Sequence, residues 1–213
     1  MKVLHLSLSL ALLALSACGG GGGSSTPTTP VTPVTQKLAT LRLPAANLSL
    51  AAGAITALAP VALDASGATI AGVTGYTYSS GTTTVAETQT NGNVIGIGAG
   101  SSVIIVSLTR DGVTATATTT VAVTGTLPTT ATVAAGASDL MFTPATIIVA
   151  RSANVTYSFG ALTHNVTFRT AAGAPTNVPN SASATVVRAF PTAGDFAYDC
   201  TLHAGMTGMV MVR

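Results

Sequence analysis

Gly194-Asp-Phe196-Ala-Tyr198-Asp-Cys200-Thr-Leu-His203-Ala-Gly-Met206-Thr-Gly208-Met-Val-Met-Val-Arg213 sets a thiol, an imidazole and a thioether at three-residue intervals on one short loop. Phe196, Tyr198 and Cys200 fall on alternate positions, so one face of a strand delivers the thiol from the core side. Upstream, Leu162-Thr-His164-Asn-Val166-Thr-Phe168 puts His164, Val166 and Phe168 on one face, which points a second imidazole inward. A lone inward histidine is usually a satisfied core residue. Here the loop supplies it with partners.

Two imidazoles, a thiolate and a thioether are a ligand set for copper, because soft sulfur donors with imidazoles select it over hard cations. Two His and one Cys in a trigonal plane with a weak axial Met is the blue-copper electron-transfer arrangement. Zinc uses Cys and His but gains little from a thioether. Met209 and Met211 compete with Met206 for the axial role.

Residues 131–213 resemble a plastocyanin-type cupredoxin, nearest in loop length to the amicyanin-like and halocyanin-like members. The resemblance rests on Phe142-Thr-Pro-Ala-Thr-Ile-Ile-Val149, His164-Asn-Val166 and Tyr198-Asp-Cys-Thr-Leu-His-Ala-Gly-Met-Thr-Gly208. It implies a Greek-key β-sandwich with His164, Cys200, His203 and Met206 as the four ligands of one type 1 copper. It also implies a hydrogen bond from Asn165 toward Thr201, tying the two ligand segments together and orienting the donors. Met206 is preferred as axial ligand because Met206-Thr-Gly208 lines up with the family's Met-x-Gly followed by a strand. Met209 and Met211 are then packing residues. The family commonly has Gly in the turn after its second strand and Trp in the next strand. This chain reads Val149-Ala-Arg-Ser-Ala-Asn-Val-Thr-Tyr157, and Tyr157 is expected to fill the core.

The 213 residues suffice for a targeting segment and two small domains. Thr, Val, Ala and Gly dominate while charges are sparse, a mixture that favours strands and turns and an all-β fold. A formal charge of +2 is too small to imply nucleic acid or an acidic surface as partner, and Arg151, Arg169, Arg188 and Arg213 are scattered, so the sequence shows no basic patch. Only Cys18 and Cys200 are present. A disulfide between them is formally allowed, but each has a better role.

Residues 1–17 show one early positive charge and an apolar run too short for a membrane span, ending at Leu15-Ser-Ala-Cys18. This matches a bacterial lipoprotein signal with Cys18 as the acylated residue, and His5 is lost with the signal. Residues 18–36 are a Gly/Ser/Thr/Pro-rich tether, reaching roughly 60 Å if fully stretched. The absence of Asp near Gly20 resembles an outer-membrane sorting signal, with the protein facing the periplasm or the surface in a Gram-negative cell.

Residues 37–125 carry short Thr/Val/Ala runs separated by turn signals, among them Asp111-Gly112 between two alternating runs, which predicts a hairpin. Leu48-Ser-Leu-Ala-Ala-Gly53, Asp64-Ala-Ser-Gly67, Tyr78-Ser-Ser80 and Gly92-Asn-Val94 resemble a bacterial Ig-like domain of the second group. This segment holds no His or Cys, so it reads as a spacer or adhesion module. Leu127-Pro-Thr-Thr130 is the expected junction, and 126–213 the cupredoxin domain.

The expected function is a membrane-anchored, monomeric carrier of single electrons between redox proteins of the cell envelope, a cytochrome or a copper enzyme among them. A four-ligand site leaves no position for substrate, and no histidines remain for further metals, so the chain is not expected to be an enzyme. Two alternatives stand beside this: a copper storage or delivery lipoprotein, and a surface interaction protein that uses the fold as scaffold.

Overall fold

The structure, a computed structural model, describes residues 36–136 and 140–213. The expected signal segment, Cys18 and the tether up to residue 35 lie outside the described residues. Among the described residues every regular element is a strand. β-Branched Val, Ile and Thr suit the pleated, half-buried surface, and single glycines punctuate the turns between strands.

The first nine strands are β1 (Thr40–Arg42), β2 (Asn47–Ala51), β3 (Ile55–Ala57), β4 (Val61–Leu63), β5 (Thr77–Ser80), β6 (Ala86–Thr88), β7 (Asn93–Gly96), β8 (Gly98–Arg110) and β9 (Val113–Thr126). A sheet ordered β2-β9-β8-β5 faces a smaller one ordered β3-β7-β6, with β1 and β4 paired beside them. Along β8, Ile104, Val106 and Leu108 turn into the core while Val103 and Ile105 stay exposed. With Val94, Val121 and Val123 they form an aliphatic core. The predicted hairpin is present: Arg110 pairs with Val113 across a two-residue turn.

The second nine are β10 (Thr130–Ala135), β11 (Phe142–Thr143), β12 (Thr146–Val149), β13 (Ala153–Phe159), β14 (His164–Phe168), β15 (Val178–Ser181), β16 (Ala184–Phe190), β17 (Gly194–Asp199) and β18 (Thr207–Val212). They build sheets ordered β11-β10-β13-β16 and β12-β18-β17-β14-β15, with parallel pairs β10–β13 and β12–β18. The space between holds a second, aromatic core of Phe142, Tyr157, Phe168, Phe190, Phe196 and Tyr198. Their rings meet mostly edge to face, at 4.9 Å for Phe142–Tyr198 and 5.5 Å for Tyr157–Tyr198. Burying each large side chain contributes about 1.5–3 kcal/mol. Tyr157 is fully buried and fills the position expected of it.

The turn after β12 keeps a left-handed residue without using glycine. Ser152 takes φ 68°, and the Ala153 N–H donates to the Ala150 carbonyl at 3.1 Å. A left-handed residue with a Cβ costs about 1–2 kcal/mol. The surrounding strands hold it there, since Ser152 N–H also donates to the Phe190 carbonyl.

Candidate metal centre

The site lies at one end of the aromatic core, where β14 begins and β17 ends. Alternation along β17 buries Phe196 and Tyr198 and carries on to Cys200, which is 4% exposed. The chain then turns back on itself: Cys200 N–H donates to the Met206 carbonyl at 2.9 Å, closing a loop of seven residues before β18. Within it, His203 N–H reaches the Cys200 carbonyl and Met206 N–H reaches the His203 carbonyl, both at 3.3 Å. These bonds hold Cys200, His203 and Met206 in a compact turn.

His164 is fully buried at the start of β14. Its partner strand slips in register between His164 and Val166, pairing them with Ser181 and Val178. Simple alternation would leave Asn165 outside, but the irregularity buries it too, at 7% exposure. There Asn165 Nδ2 donates to Thr201 Oγ1 at 2.7 Å and to Asn180 Oδ1 at 2.9 Å, while Thr201 N–H donates to Asn165 Oδ1 at 2.9 Å. The segment with the first imidazole is thus fastened to the residue that follows the thiol.

Three donor atoms converge. His164 Nδ1 and His203 Nδ1 are 3.1 Å apart, and Cys200 Sγ lies 3.8 Å from the first and 3.5 Å from the second. A triangle with these edges has its three corners about 2.0 Å from a common centre, the length of a metal–imidazole bond. The tautomer of His164 is set by its other nitrogen. Nε2 lies 2.8 Å from the Gly136 carbonyl, which can only accept, so Nε2 carries the proton and Nδ1 presents a lone pair to the cluster. An imidazole proton can satisfy one edge of such a triangle and leaves the others facing each other. A shared cation satisfies all three.

Among the described residues these three form the group of His, Cys and acidic side chains placed to hold a metal, and no carboxylate is in it. The buried His-Cys-His group fits a single copper site, by donor softness as well as by size. Met206 is 1% exposed and joins the aromatic core beside Cys200. His203 is half-buried, and Leu202 next to it is 45% exposed. Sequence reasoning had no access to the Gly136 carbonyl or to Asn180. A carbonyl has no residue signature, and an asparagine in a polar stretch reads as turn chemistry.

Neither a family model nor a curated protein sequence matches the chain. Among solved structures it is similar to a mutant plastocyanin of fern, at 24% identity over 38% of this chain and 99% of that one, with a TM-score of 0.35. It is similar to a mutant amicyanin in its reduced Cu(I) form, at 25% identity over 39% of this chain and 82% of that one, TM-score 0.34. It is also similar to a copper-containing nitrite reductase from Thermus scotoductus, at 20% identity over 43% of this chain and 24% of that one, TM-score 0.35.

Proposed function

We propose that this protein is a type 1 copper electron carrier of the bacterial cell envelope, moored by lipid on Cys18 and holding its metal with His164, Cys200, His203 and Met206. The observation that carries the reading is the convergence of Cys200 Sγ and two imidazole Nδ1 atoms, 3.1–3.8 Å apart, in a buried pocket. Bound there, copper supplies a one-electron couple. The chain's own contribution is to hold the donors in place. The Asn165–Thr201 bonds fix the spacing between the two ligand segments, and the Gly136 carbonyl fixes the His164 tautomer. A set of donors held in one geometry for both charge states keeps the rearrangement between them small.

The half-buried His203 is the edge of the site nearest solvent, and Leu202, Ala204 and Gly205 around it are exposed and uncharged. A small apolar collar of this kind suits brief docking with a donor or acceptor protein. We place the chain as a monomer carrying electrons between envelope redox partners, with residues 37–125 as an Ig-like module between tether and copper domain.

Loading the mature protein with one equivalent of Cu(II) is expected to give an intense visible charge-transfer band that disappears in Cys200→Ser, together with a narrow copper hyperfine pattern in electron paramagnetic resonance. A colourless, tetragonal Cu(II) spectrum in the unmodified protein rejects the reading. A blue protein that loses Cu(I) readily to a chelator, and exchanges no electrons with cytochromes, indicates copper delivery instead.

A further inference from the structure

β18 reads Thr207-Gly-Met-Val-Met-Val212 and is apolar on both faces. Val210 and Val212 turn into the aromatic core, whereas Met209 and Met211 turn the other way. Its neighbour β12 divides in the same manner, with Ile147 and Val149 inward and Ile148 outward. A strand of a free-standing sandwich needs one apolar face, and its solvent face is ordinarily polar.

Here the outer face is covered by the first sandwich. Ile148 and Met211 are 6% and 2% exposed and pack with Ile95, itself fully buried, and with Ile97 and Leu127. Ile95 follows Val94 on β7, and the two point to opposite sides: Val94 into the aliphatic core, Ile95 onto β12 and β18. The backbones also come close, since a Cβ placed on Gly53 would stand 3.6 Å from the Ile148 carbonyl. An ion-pair network closes the rim. Arg213 Nε is 2.6 Å from Glu87 Oε2 on β6, and Arg213 Nη1 is 2.6 Å from Asp195 Oδ1 on β17.

These contacts fall on the strands that matter for the site. β17 ends at Asp199, one residue before Cys200, and β18 begins at Thr207, one residue after Met206. We infer that the N-terminal sandwich is a brace for the β17–β18 hairpin from which the Cys200–Met206 loop is slung, rather than a spacer that merely lengthens the tether. The inference rests on packing and charge and stands whether or not copper is the metal.

Amide hydrogen exchange on the metal-free protein, residues 19–213, tests it. In an Ile95→Ser/Glu87→Gln double variant, exchange in 194–199 and 207–212 is expected to quicken roughly tenfold or more, about the effect of losing one charge-assisted hydrogen bond. Exchange in β13 and β16, on the opposite sheet, stays as it was. Unchanged protection of 207–212 overturns the brace. Should the double variant lose protection throughout, Glu87→Gln alone decides: a rise in 194–199 and 207–212 above that of β13 and β16 supports the brace, and any other pattern overturns it.

Discussion

Gly208 occupies a position where any Cβ would land on the ring of Tyr198. Tyr198 is fully buried and lies two residues before Cys200 on the same strand face, so pressure on the ring is passed toward the thiol. Gly208→Ala is expected to cost about 1–3 kcal/mol, the usual penalty of overpacking a filled core. Urea unfolding measures it, and an unshifted midpoint means the ring has somewhere to go. The inward aim of His164 and Cys200 was legible in the sequence because alternation is a strict property of strands. The burial of Asn165 was not, because it depends on a slip in register against β15 that no local pattern encodes.

At the scale of elements, the β8–β9 hairpin was the plainest reading in the chain. Asp111 and Gly112 take φ 51° and 77°, the positive values that a two-residue turn between twisted strands requires. A Cβ on Gly112 meets nothing within 4 Å, so the penalty of a side chain there is purely conformational. Gly112→Ala is expected to destabilise by about 1 kcal/mol, read as a lowered thermal midpoint with the copper spectrum unaltered. A changed spectrum would instead mean that the far hairpin communicates with the metal loop. The Cys200–Met206 loop shows the opposite balance. Cys200 and His203 were picked out by their spacing, but the closure of the loop by the Cys200 N–H to Met206 carbonyl bond belongs to the folded turn.

For the molecule as a whole, alkaline pH probes the aromatic core. Tyr157 and Tyr198 are buried there with hydroxyls lacking a hydrogen-bond partner, and burial pushes both phenols well above the ordinary value of 10.0. In the unfolded chain they ionise near that value, so above it the folded state holds more protons than the unfolded one. Their contribution to stability is therefore fully present below about pH 10 and falls as pH rises beyond it. Tyr157→Phe is expected to flatten this fall, and to stabilise the protein by about 1 kcal/mol at neutral pH by removing an unpaired buried hydroxyl. Denaturant titrations at pH 7 and pH 11 check both. An unchanged alkaline slope would mean that other groups drive unfolding there.

What the sequence determined by itself was local and chemical: strands from Thr/Val alternation, the hairpin from Asp111-Gly112, and the pairing of Cys200 and His203 with an inward His164, which the fold gathers into one group. Each follows from nearest-neighbour stereochemistry or from the identity of the donor atoms. Tertiary structure alone decided how far apart the donors stand, which nitrogen of His164 keeps its proton, and why Met209 and Met211 are apolar. The reason is physical: these depend on groups brought together across 28 residues for Gly136 and His164, and across 126 for Glu87 and Arg213. Contacts at such separations are set by how the sheets pack, and a strand's own pattern records only that it has two faces.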